Sequence, residues 1–369
     1  MGMGRKISFV VALILMSNMG VTQALEFEGF GSVSYHKHDE KGQHAKASAG
    51  YPEGFTLGGF DLYAFQQIGE QTSAFAEFII ADFEEEIELE RLWIRRDINP
   101  SLAFKAGFIE SPLGYWNRTY HHGGQLLQDT ITRPFFLRYE EEFGAIFPMV
   151  SVGVELLGST SFPAGDWSYT AFFANGMSLD SSVDEGKSKI HINMLGDPGD
   201  EKLFILRTAF LFSGAPLQIG FFGMNNPVTE SGEGSGARAA LGDRLVSQRV
   251  AGADFHVAAG DLEMFGEYYH IDNEDILNDG ASYTASAYYV QLGYQLTERL
   301  KPLYRYVDLN TDENDPYFRY LGVEGQSHHV LGVRYDLDES NALKLEFHRM
   351  NMGEESFMHS QVQWAFLMF

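Results

Sequence analysis

The sequence predicts an all-β protein: a transmembrane antiparallel up-and-down β-barrel of about 16 strands (roughly 14 to 18), preceded by a cleaved signal peptide. Three observations predict it. An export leader is followed by no apolar stretch long enough for a membrane helix. Short alternating segments recur to the end of the chain. The links between them take turns at being brief and long.

The leader comes first. Arg5 and Lys6 form a positive start, residues 7–16 an apolar run, and Thr22-Gln23-Ala24 a small-residue exit, so cleavage is expected after Ala24. The apolar run is too short to span a bilayer, and no stretch of about twenty apolar residues follows it. Residues 25–369 therefore form the mature chain. If that chain crosses a membrane, a closed barrel is the remaining way to satisfy its backbone groups in lipid.

Composition narrows the class. There is no Cys, which removes disulfides and thiolate metal sites. The 39 Gly and 14% aromatic residues suit many short strands joined by turns. The formal charge is −25, and loss of Arg5 and Lys6 leaves 24 basic residues against 51 acidic, or −27. Such a chain is no partner for nucleic acid.

Alternating segments fall near 26–35, 54–68, 72–83, 87–98, 101–110, 149–160, 166–175, 200–212, 216–225, 246–258, 261–270, 283–296, 299–309, 326–337, 341–350 and 360–369. Brief links such as Gly69-Glu70-Gln71, Asn99-Pro100 and Ala259-Gly260 alternate with mostly longer polar ones. Sorting of loops by length is expected when one rim faces the periplasm with tight turns and the other faces outward with long loops. A soluble sandwich has no reason to sort them.

The period of two assigns faces. Leu92 and Ile94 oppose Arg91, Trp93 and Arg95; Phe104 and Ala106 oppose Lys105; Val154 and Leu156 oppose Glu155; Leu331 and Val333 oppose Arg334. A Lys or Arg on the lipid face near the midplane costs about 2–4 kcal/mol, so the charged member of each set is expected inside. The inner wall then carries Arg91, Arg95, Lys105, Arg207, Arg305, Arg334 and Lys344 against Glu77, Glu155, Asp254, Glu263, Glu267 and Glu346. These either set a field across a water-filled lumen or pair with neighbours to brace the wall. Tyr268, Tyr269, Tyr288, Tyr289, Tyr294, Tyr304 and Tyr306 are expected in an interfacial aromatic girdle.

The chain ends on Ser360-Gln-Val-Gln-Trp-Ala-Phe-Leu-Met-Phe369. The terminal Phe369 with Trp364, Ala365 and Leu367 resembles the closing strand of Gram-negative outer-membrane β-barrels, whose terminal Phe is read by the barrel-assembly machinery. Leu367 stands where an aromatic is usual. The longest link, 111–148, is the third of the long ones, and it is rich in Trp, Tyr, Phe and Leu. In this ordinal place it resembles the third extracellular loop of outer-membrane porins, which folds inward and narrows the lumen. Lys105-Ala-Gly-Phe-Ile-Glu-Ser-Pro-Leu-Gly114 is similar to the strand-to-loop segment of phosphate-selective porins.

The porin resemblance implies passive diffusion of small polar or charged solutes, often through homotrimers. Partners would be outer-membrane lipid and lipopolysaccharide, and no cofactor is implied. Phosphate selectivity would require clustered basic residues, whereas this loop is not Lys-rich and the chain is acidic. At a constriction, Arg118, Arg133 and Arg138 are candidates for the positive edge and Glu140, Glu141 and Glu142 for the negative edge. The same Arg and Glu residues form a structural clamp in the other reading. His121 and His122 would make the charge pH-dependent.

Other motifs are less defined. His36-x-His38, His121-His122 and His328-His329 each offer two imidazoles, but spacing places no third ligand, so no metal site is expected. The runs 272–275 and 312–315 lack the calcium-loop pattern. Two other functions fit a barrel: a lipase-like outer-membrane enzyme, for which no Ser and His spacing selects a catalytic set, and a non-conducting adhesion or scaffold barrel.

Overall fold

In a computed structural model, residues 25–38, 53–80, 87–120, 126–139, 144–181, 188–197, 199, 201–232, 237–278 and 280–369 are described. The first part of the wall is β1 (Glu26–His38), β2 (Gly54–Gln67), β3 (Thr72–Ile80), β4 (Glu88–Asn99), β5 (Leu102–Glu110), β6 (Val150–Phe162) and β7 (Gly165–Asn175). A small hairpin, β8 (Met177–Leu179) and β9 (His191–Ile192), follows. The wall resumes with β10 (Lys202–Phe212), β11 (Leu217–Glu230), β12 (Arg244–Ala259), β13 (Leu262–Asp275), β14 (Ser282–Tyr294) and β15 (Leu300–Asn310). It ends with β16 (Gln326–Asp338), β17 (Asn341–Met352) and β18 (Glu355–Leu367).

Among the described residues these give sixteen long wall strands, each antiparallel to its neighbours, with β7 pairing β10 past the small hairpin. The sheet closes where β1 pairs β18, in the register Phe30↔Leu367, Val33↔Trp364 and His38↔His359. Closure removes both edges, so every wall strand has partners on two sides. All sixteen expected segments fall on these strands.

The last hairpin differs from expectation. β18 begins at Glu355, not near residue 360, because Gly353 takes a left-handed φ of 56° and turns the chain directly back. Strand alternation therefore extends through Phe357 and His359.

Side chains alternate as the period of two requires. Leu92, Ile94, Leu156, Phe173, Phe221, Leu331 and Trp364 are exposed on the outer surface, while Glu77, Glu155, Asp254 and Lys344 are buried on the inner one. An apolar exterior over a charged interior is the reverse of a soluble domain and fits lipid outside. The tyrosine girdle needs correction. Tyr268, Tyr294 and Tyr304 face outward, but Tyr269 and Tyr289 are fully buried on the inner face. Adjacent tyrosines on one strand point to opposite faces, so Tyr268-Tyr269 and Tyr288-Tyr289 each supply one ring to either side.

The lumen also contains an apolar core. Phe135, Phe136, Leu137, Ile146, Phe147 and Met149 pack on inward residues of β11–β15, among them Phe222, Phe265, Ile271, Val307 and Leu309. The β8–β9 hairpin turns inward and adds Met177 and Leu179, with β8 parallel to the end of β11. A helix, α2 (Pro316–Leu321), capped by the Asp315 carboxylate and ended by Gly322 at φ 63°, adds Tyr317, Phe318 and Leu321.

Candidate functional site

The inward segment between β5 and β6 is tied at its neck. Ser111 N donates to Met149 O at 2.8 Å, and the Asn117 amide donates to both Ser111 O and Met149 O at 2.9 and 2.8 Å. One side chain thus holds the two ends of a 39-residue excursion together, leaving β5 and β6 paired as neighbours.

A single turn of helix, α1 (Trp116–Thr119), then docks on β13 and β14. The Glu267 carboxylate, buried on the inner wall, accepts from Trp116 N, from Tyr289 OH at 2.7 Å and from Tyr269 OH. Three donors satisfy acceptors that could not otherwise be buried. Gly114 makes the approach feasible: its φ is +68°, and a Cβ there would lie 2.0 Å from Glu267 Oε2.

The second tether is on β15–β17. Arg334 Nη1 donates to Leu126 O at 2.6 Å and Gln128 O at 3.1 Å; Lys344 Nζ donates to Thr130 O at 3.2 Å. Lys301 pairs with Asp129 and Glu263. Glu346 accepts from Ile131 N at 2.8 Å and from the Thr132 hydroxyl at 2.9 Å, while Arg305 donates to Thr132 O at 2.7 Å. Arg305 and Arg334 are on the inner wall as expected, but here they grip the backbone of the inward segment, and Arg305 is fully covered by it. Of the two roles open to these wall charges, setting a field or pairing with neighbours, the geometry of both is that of pairing. A guanidinium satisfies several carbonyls at once, which is why loop docking consumes it.

The opposite wall is braced by its own ion pairs. Arg91 pairs with Glu77, Lys105 with Glu155 at 3.0 Å and Glu110 at 3.3 Å, and Arg207 with Asp254 at 2.7 Å. For these wall residues the bracing reading describes the geometry. Arg95 pairs with Asp97 and remains half exposed.

Arg118, on α1, is exposed and reaches Thr170 Oγ1 on β7 at 2.7 Å. With Arg95, Asp97, Asn99 and Tyr169 it borders a recess of about 530 Å³ between the inward segment and β3–β7. Arg133 stacks on Tyr139, 3.7 Å from its ring centroid, and Arg138 is half-buried beside Gly144. The structure therefore does not bring the three arginines onto one edge. His121, His122, Glu140, Glu141 and Glu142 lie outside the described residues. At the closing seam Trp364 and Phe369 are exposed on the outside, and the Phe369 ring lies over Gly29.

The residues missed by sequence reading are Asn117, Asp129 and Lys301. Their partners lie far along the chain, and no spacing links them. Alternation places Glu267 and Glu346 on the wall, and only their contacts with Trp116, Ile131 and Thr132 show that they dock the loop.

The closed sixteen-strand antiparallel barrel with an apolar exterior is the fold of outer-membrane porins, and this chain has it. Solved structures similar to it include OmpT of Vibrio cholerae, an outer-membrane protein (TM-score 0.60, 11% identity, covering 94% of this chain and 100% of that one). The outer-membrane channel DcaP of Acinetobacter baumannii matches at TM-score 0.57 and 8% identity, over 94% and 97% of the two chains. OmpF of Salmonella typhi, in complex with daunomycin, matches at 0.57 and 12%, over 93% and 97%. No protein-family model matches the sequence, and no curated protein sequence does. The likeness is one of fold.

Proposed function

We propose that the mature chain is a porin-like channel of the bacterial outer membrane, passing small polar or charged solutes by diffusion, with the 111–148 segment setting its narrowest point. The observation that carries this reading is the asymmetry of the lumen. The inward segment is clamped to β13–β17, while the exposed Arg118 faces the polar recess beside β3–β7. A leader over residues 1–24 would export the chain, and the Phe369 terminus would present it to the assembly machinery. One neighbour, OmpT of Vibrio cholerae, is described in a trimer form, and three copies in contact with lipid and lipopolysaccharide are our reading for this chain.

The test is reconstitution in planar bilayers. Discrete conductance steps are expected, with Arg118→Glu shifting ion preference toward cations. Zero conductance would overturn the reading and favour the adhesion or scaffold barrel, which the extent of apolar packing inside the lumen also supports. Lipid hydrolysis by the purified chain, lost on a single Ser replacement, would instead favour the barrel enzyme.

A further inference from the structure

The closing seam collects histidines that sequence spacing left as separate pairs. His38 on β1 lies directly opposite His359 on β18, which lies directly opposite His348 on β17. His36, two residues from His38, shares its face. All four are buried on the inner wall. The His38 and His359 rings stack 4.5 Å apart, those of His36 and His359 are 5.5 Å apart, and those of His348 and His359 5.2 Å. Strand register brings them together, since positions facing inward on three adjacent strands form one row.

Two of these imidazoles already stand at ligating separation. His36 Nδ1 and His359 Nε2 are 3.4 Å apart. Two ligand nitrogens of a tetrahedral site with metal–nitrogen bonds of about 2.0–2.1 Å are separated by about 3.3–3.4 Å. The other ring nitrogen of His36 is 2.8 Å from Thr56 Oγ1, so Nε2–H donating to the hydroxyl leaves the Nδ1 lone pair toward His359. On the far side, Glu346 holds His348 Nε2 at 3.0 Å, the carboxylate–imidazole arrangement that orients ligand histidines. In the rotamers of the structure no three His or carboxylate groups among the described residues converge on one point. A third nitrogen would have to come from His38, whose ring stacks on that of His359 at 4.5 Å and must turn from that contact to ligate.

We propose that His36, His38 and His359 bind a borderline first-row dication of the Zn²⁺ or Ni²⁺ class, joining the first and last strands of the barrel. Imidazole sets select this class over Mg²⁺ and Ca²⁺, which prefer oxygen. For His359 Nε2 to ligate, its ring proton must sit on Nδ1, so that both His36 and His359 bind as neutral imidazoles. An ion bridging β1 and β18 exists only in the closed barrel, so it raises the unfolding temperature.

The experiment uses the untagged mature chain folded in detergent, titrated calorimetrically with zinc chloride and nickel chloride, alongside thermal unfolding. The expected result is one site per chain in the micromolar range and a metal-dependent rise in unfolding temperature. Both should be lost in His359→Ala and His36→Ala and kept in His270→Ala, whose side chain is on the outer face. Thr56→Val should weaken binding by about tenfold, as removal of an outer-shell partner does. Heat-modifiable migration verifies that each variant is folded; should His359→Ala fail it, His38→Gln carries the same test. Absence of binding, or binding undiminished by His359→Ala or His38→Gln, overturns the proposal. The outcome is independent of the channel reading, because a barrel that conducts nothing would still bind the ion.

Discussion

The Glu346 carboxylate on β17 accepts a hydrogen bond from the Thr132 hydroxyl at 2.9 Å, across 214 residues of chain. It is completed by Ile131 N and flanked by Arg305, which donates to the Thr132 hydroxyl and carbonyl. This buried knot fixes the inward segment to the wall opposite the recess.

Replacement of Glu346 by Gln should therefore release the segment from β17. Ile131 N and the Thr132 hydroxyl are left with a weaker, neutral acceptor, at a cost of about 1–3 kcal/mol. Limited proteolysis of the folded barrel should cut within 126–133 in the variant and not in the parent, with noisier single-channel traces. A segment equally resistant in both would remove Glu346 from this role.

Gly114→Ala tests the first tether. The left-handed φ and the 2.0 Å approach to Glu267 cannot both accommodate a methyl group, so α1 must lift from β13, at a cost of at least about 1–3 kcal/mol. Trp116 is fully buried in the parent and should become more accessible, read as a red shift of emission and increased quenching.

The wall pair Arg207 and Asp254 is expected to behave as a buried salt bridge. Arg207→Leu alone leaves Asp254 uncompensated and should destabilise the barrel by about 3–5 kcal/mol in urea unfolding. The double change Arg207→Leu with Asp254→Leu should recover most of that loss. Additive losses would show the two charges to be independent.

Asp315, in the connection before α2, has its carboxyl pushed up to about 6, chiefly by burial, against the opposing hydrogen bonds from Asn273 and Tyr317 N. Because the folded value lies above the unfolded one, the contribution is full below about pH 4 and is lost as pH rises through 6, amounting to on the order of 3 kcal/mol. Hydrogen exchange of residues 316–321, corrected for intrinsic rates, should show protection falling between about pH 4 and 6 and flat above. Asp315→Asn keeps a capping side chain and should abolish the dependence.

How far each feature could be read in advance depended on the range of the interaction behind it. Alternation at Leu92-Trp93-Ile94 and at Val154-Glu155-Leu156 is local, so face assignment could be made strand by strand, and all sixteen wall segments were legible. A girdle of tyrosines does not form as a single band because strand parity divides Tyr268 from Tyr269 between the two faces. The β8–β9 hairpin was missed because a few residues of strand pairing inside a loop carry no period to detect. The inner docking of Arg305 and Arg334 was invisible because their partners are backbone carbonyls, which every residue has.

The amino-acid order alone determined the number of wall strands and which face of each strand is apolar, because a two-residue period is encoded within a few neighbouring positions. Tertiary structure alone decided which charges brace the wall, which hold the inward segment, and that His36, His38, His348 and His359 meet at one seam. Those outcomes depend on cylinder closure, which sets β1 beside β18 and brings together side chains more than three hundred residues apart.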